Sequence, residues 1–188
     1  MASFDGIYHH LTSKYGYPVL ANPSNKPYDP ALTNAISDLL LHPTLEATLH
    51  ILNGDLPSAH FLCRHMQNKP AFEGMYLHGI LHRVEGDYRN AEAWYNDVHE
   101  SEPYKAEGLE DGKGFIGRVE KLRKEKRGDP KQLERESAKE IDALVQWLKQ
   151  KFGTQRMQDV SNYWPETSEE QRKMAAHQVV GGEGIRQF

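Results

Sequence analysis

The sequence predicts an all-α fold. Three observations predict it. Apolar residues recur at three- and four-residue spacing in segment after segment. Alternating β-branched runs, the mark of strands, are absent. Two Gly-Asp pairs, Gly54-Asp55 and Gly86-Asp87, stand 32 residues apart and divide the middle of the chain into helical hairpins.

The elements follow in order. Residues 4–15 form a first helix, with Ile7, Leu11 and Tyr15 on one side. Residues 17–30 hold four prolines, each lacking an N–H and restricting its predecessor, so this stretch is an extended loop. Pro30 suits a first helical turn and opens a helix over 30–42, with Leu32, Ile36, Leu39 and Leu40 on one face. Pro43 restarts the chain, and Leu45, Leu49 and Leu52 carry a helix to Gly54. Helices are expected over 56–67 and 71–85, separated by Lys69-Pro70, and then over 88–102, stopped by Pro103. Residues 103–114 read as a loop and 115–127 as a highly charged helix. After the turn at Gly128, one long helix spans 130–152. Its stripe of Ile141, Leu144, Val145, Leu148 and Phe152 is amphipathic, and Gly153 ends it. Residues 1–153 thus make a single helical domain. Residues 154–188 form a polar extension, partly helical, with a capping box at Thr167 and Glu170.

Composition narrows the function classes. The net charge is −4, and the basic cluster Lys121, Arg123, Lys124, Lys126 and Arg127 is interleaved with glutamates, so it reads as a solvated helix face. No nucleic-acid partner is expected. The lone cysteine, Cys63, excludes an internal disulfide framework and fits a reducing compartment. The first residues lack a basic region followed by an apolar one, so no signal peptide is read there. The longest aliphatic run, Leu39 to Leu41, is far too short for a bilayer. A soluble cytoplasmic protein without membrane association is the expectation.

Residues 72–103 resemble a tetratricopeptide repeat. Gly79 falls at the small position of the first helix, Gly86-Asp87-Tyr88 at the turn, Ala91 at the small position of the second helix, Tyr95 at its aromatic and Pro103 at the close. A degenerate copy covers 41–71, where Gly54, Ala59 and Cys63 answer Gly86, Ala91 and Tyr95. The resemblance implies antiparallel hairpins that approach closely through their small residues. Three positions depart from it. Met75 stands near where the family has tryptophan, His78 where it has leucine, and His82 where it has an aromatic. Imidazoles therefore occupy the seam that a peptide-binding solenoid fills with apolar side chains. The stretch from His78 to Tyr95 also resembles one in uncharacterised proteins of fungi and bacteria. That likeness groups His78, His82, Arg83, Glu85, Asp87, Asn90 and Trp94 and implies no activity.

His78, His82 and Glu85 lie at i, i+4 and i+7 and share a helical face. Two imidazoles four apart can bind one metal, although the HExxH pattern is absent because Gly79 follows His78. In hairpin packing, the helix over 56–67 brings His60 toward them. A His60, His78 and His82 cluster beside Glu85 suits zinc or iron(II) with an open position. The same imidazoles read equally as a structural polar network or a metal-free pocket. Arg83 either orients an anionic substrate or pairs with Asp87 or another nearby carboxylate. Asn90 and Trp94 are candidate pocket residues, with a first-turn amide and a core aromatic as the alternatives.

Two functions stay open. One is a helical-repeat protein that binds a protein or small molecule through a His-rich pocket between 56–67 and 71–85. The other is a small enzyme, metal-dependent or not, in which His78 and His82 act as base or ligands and Arg83 orients an anionic substrate. The stripe ending at Phe152 packs on the core or on a second copy of the chain.

Overall fold

The computed structural model describes residues 2–164 apart from 25, 108 and 110, and these are all-helical, with no strand among them. The helices are α1 (Phe4–Lys14), α2 (Pro30–Ser37), α3 (Pro43–Leu52), α4 (Leu56–His65), α5 (Phe72–Glu85), α6 (Tyr88–Val98), α7 (Glu102–Glu107), α8 (Gly112–Glu125) and α9 (Pro130–Phe152). The helix expected within 167–179 lies outside the described residues. Among the described residues no helix is long and apolar enough to cross a membrane.

Local chemistry explains most boundaries. Aspartates cap five helices: Asp29, Asp55, Asp87, Asp111 and Asp129 each accept a hydrogen bond from a first-turn N–H. Gly54 and Gly86 take φ of +69° and +100°, which lets α3 and α5 stop and the following Asp begin the next helix. α9 runs from Pro130 to Gly153 as its pattern predicts.

Three expectations are corrected. The helix over 30–42 ends at Ser37, because Pro43 holds His42 in an extended conformation (ψ 134°) and the His42 ring caps α3 instead. Leu40 then turns with φ +49° and is exposed rather than facing the core. α6 ends at Val98, so Pro103 does not stop it. Pro103 lies in the first turn of α7, where the sequence read a loop. Asp111 caps α8 three residues earlier than expected.

Hairpins α3–α4 and α5–α6 stack through α4 against α5 and α3 against α5. α1 and α2 cover α3, α8 covers α6, and α9 crosses α3, α7 and α8. The stripe of α9 is spent inside the chain, since Ile141, Leu144, Val145 and Leu148 are all buried. The segment after Gly153 turns back over the α2–α3 connection and the end of α4. The Met157 N–H donates to Leu40 O at 2.7 Å, and the Trp164 ring lies 4.5 Å from that of His65.

α5 is the centre of this packing, and every residue from Glu73 to Val84 is buried. Gly79 is where α6 comes closest: a Cβ there would lie 2.7 Å from the Tyr95 ring. On that side Arg83 is wholly buried. Its guanidinium donates to Glu140 of α9, to the Tyr95 hydroxyl and to Ser137 Oγ, the last at 2.9 Å. Tyr76 and Tyr95 in turn donate to Glu140 at 2.9 and 2.5 Å. Arg83 thus pairs with a carboxylate other than Asp87. Glu140, a glutamate of the charged run that continues past Arg127 into α9, is its buried counter-ion.

A buried ion pair left with one partner costs about 3–5 kcal/mol. Arg83→Met should therefore destabilise the protein by that amount in urea unfolding. A change under about 1 kcal/mol would mean that Glu140 finds an equivalent partner.

Candidate metal centre

His78 and His82 project from α5 toward α4 because they sit one turn apart, with Gly79 and Arg83 turned to the other side. Their rings are parallel, 4.7 Å apart at 17°. His60 of α4 meets both nearly edge-on, 5.4 Å from His78 and 5.0 Å from His82. One ring nitrogen from each of the three lies within 4.8 Å of the other two. Trp94 of α6 closes the far side, stacked on His78 at 4.7 Å and 22°.

Carboxylates border the cluster. Glu85 Oε2 is 2.8 Å from His60 Nε2 and 3.4 Å from His82 Nδ1. Asp87 Oδ2 is 3.8 Å from His82 Nδ1 and accepts from Asn90 Nδ2 at 2.7 Å. The centre is graded in depth. His78 and His82 are buried, while the side chains of His60, Glu85 and Asp87 are 13%, 29% and 39% exposed. The His60–Glu85 edge is therefore the side nearest solvent, while the inward ring nitrogens are buried. His82 Nε2 and His60 Nδ1 are buried without a hydrogen-bond partner among the described residues.

Burial alone would raise the Glu85 pKa. Hydrogen bonds and charge interactions with His60 and His82 outweigh it and bring the group down to about 2. Cys63, although one turn from His60, is wholly buried, and burial followed by the Glu85 charge pushes its thiol far up, so it is no nucleophile.

The structure therefore brings together His60, His78, His82 and Glu85, with Trp94 as a wall and Asn90 holding Asp87 at the rim. It does not bring Arg83 to them. That side chain leaves α5 on the opposite face, so it cannot orient a substrate beside the histidines. Sequence reasoning missed the Asp87 contact. It also missed a parallel pair on the first hairpin, where His50 Nδ1 stands 3.2 Å from Asp55 Oδ2. The signal was present: a histidine precedes each Gly-Asp turn by the same interval. Comparison with protein-family models, curated proteins and solved structures finds no match.

The folded pKa of Glu85 lies below its ordinary value of 4.5, so the group adds stability that is fully present above that pH and lost as the pH falls toward about 2. In metal-free protein, acid unfolding across this window should be steeper for wild type than for Glu85→Gln. Equal slopes in denaturant titrations at successive pH values would show that its contacts contribute nothing to folding.

Proposed function

We propose that this protein binds one divalent transition metal, zinc or iron(II), through His60, His78 and His82, and uses it to hold or activate a small ligand. The observation that carries the reading is the meeting of three imidazoles from two helices within 4.8 Å. Tetrahedral zinc ligands stand about 3.3 Å apart when each bond is about 2.0–2.1 Å, so modest ring rotations would close the set. Neutral imidazole suits these metals better than calcium or magnesium, which prefer oxygen. An apolar wall of Trp94 beside a charged rim of Glu85 and Asp87 gives a dry interior and one wet edge. In this reading the hairpins are a tetratricopeptide-like pair whose seam has been given over to a metal. The buried thiol of Cys63 fits a cytoplasmic setting.

One observation favours a metal-free structural network instead. Glu85 already bonds His60 and lies close to His82. Elemental analysis of protein purified without a histidine tag separates the two. The metal reading expects close to one equivalent per chain, lost in both His78→Ala and His82→Ala. It also expects binding to weaken in acid, because the metal takes only deprotonated ligand nitrogens and protons compete for them. Metal-free wild type that refuses added zinc, with variants that lose only thermal stability, would overturn it.

A further inference from the structure

We infer that Glu85 and Asp87 are positioning residues behind the imidazoles, so that the metal takes three nitrogens and keeps a fourth position open to a small anionic donor. The inference rests on the metal reading above and concerns which groups the ion touches.

Three observations carry it. First, the groups that come within 4.8 Å of one another are His60, His78 and His82. Glu85 touches two of these rings and is not one of the set. Its oxygen therefore lies behind two of the rings, off the point where all three converge.

Second, a carboxylate only accepts hydrogen bonds, so the nitrogens facing it carry the protons. Those are His60 Nε2, at 2.8 Å, and His82 Nδ1, at 3.4 Å from Glu85 and 3.8 Å from Asp87. The lone pairs then fall on His60 Nδ1, which is buried and has no hydrogen-bond partner among the described residues, and on His82 Nε2; neither nitrogen of His82 makes a hydrogen bond there, and Nδ1 is set apart by its nearness to the two carboxylates. Carboxylates behind metal-binding imidazoles fix ring orientation in this way and raise ligand basicity.

Third, the first hairpin supplies an internal control 32 residues earlier. There His50 takes the place of His82, Asp55 of Asp87 and Glu46 of His78. His50 keeps Nδ1 toward Asp55 at 3.2 Å and turns Nε2 toward Glu46 at 3.8 Å. The aspartate that caps the second helix thus stands on the Nδ1 side of the ring in both hairpins, at 3.2 Å in the first and 3.8 Å in the second. In the second hairpin the residue one turn earlier is His78, whose ring stacks on that of His82 at 4.7 Å. Exchanging glutamate for histidine at that one place converts an ion-paired ring into half of a metal site.

Three neutral imidazoles leave the ion with its full double charge and, in a tetrahedral site, one position unfilled. The exposed edge at His60 and Glu85 is the route to it. The ligand class is a small anionic oxygen or nitrogen donor, or a water that the ion acidifies.

Cobalt(II)-substituted protein tests this through its visible spectrum, with azide as the probe. The inference expects azide to shift the cobalt bands of the wild type. It expects Glu85→Gln to bind one cobalt with the same bands and about 10–100-fold weaker affinity. Bands indifferent to azide, or a changed band pattern in Glu85→Gln, would make Glu85 a ligand of a closed site and overturn the inference while leaving the metal reading intact. Wild type that binds neither cobalt nor zinc would overturn the metal reading itself. The azide titration uses wild type alone, so it decides the matter even if the variant fails to fold.

Discussion

The structure depends on the complete burial of α5. A helix wrapped on all sides cannot leave a polar group to water, so each polar side chain on it needs a partner from another helix. Toward α9, Arg83 meets Glu140, Ser137, Tyr76 and Tyr95 in one connected network. Toward α4, His78 and His82 meet His60, with Glu85 and Asp87 at the rim. The two solutions differ in kind. The first is a charge pair sealed by Phe115, whose ring lies 4.7 Å from the guanidinium carbon, with Arg83 Nε alone of the guanidinium nitrogens left without a hydrogen bond. The second leaves nitrogens such as His82 Nε2 without a hydrogen bond and one edge open.

Close packing at Gly79 couples the two faces. Because α6 approaches there, Tyr95 reaches Arg83 on one side of α5 while Trp94, one residue earlier, reaches His78 on the other. Consecutive residues of one helix thus line the ion-pair network and the imidazole cluster. A shift of α6 against α5 would disturb both. The Gly-Asp turns fix that approach, since the Asp that caps α6 also faces His82. Capping and site geometry share a residue, and the first hairpin shares the same device through Asp55 and His50.

Much of the local structure was legible in the sequence. Helix α9 followed from its stripe and from Pro130 and Gly153, and the stop of α5 from Gly86. The misreadings at 38–42, 99–107 and 112–114 came from reading apolar spacing and a proline without their context. His42 could cap α3 only because Pro43 had already extended it, and Pro103 belonged to the start of a helix rather than the end of one. The meeting of His60 with His78 and His82 was legible because stacked hairpins bring the second helix of one against the first helix of the next. For Arg83 the sequence left a substrate and a carboxylate partner open; it could not name Glu140, which lies 57 residues away on α9, because no local spacing carries that information.

By itself the sequence determined most of the helical segments, though not α7, the turns at Gly54 and Gly86, and that two histidines share a face of one helix. These are properties of neighbouring residues, set by backbone sterics, hydrogen-bond capping and a fixed angular period. Tertiary structure alone decided which polar groups meet. It sent Arg83 to Glu140 and His60 to Glu85, and it left His82 Nε2 without a hydrogen-bond partner. Those outcomes depend on how whole helices pack, because a buried charge or imidazole takes whichever partner the neighbouring helix delivers.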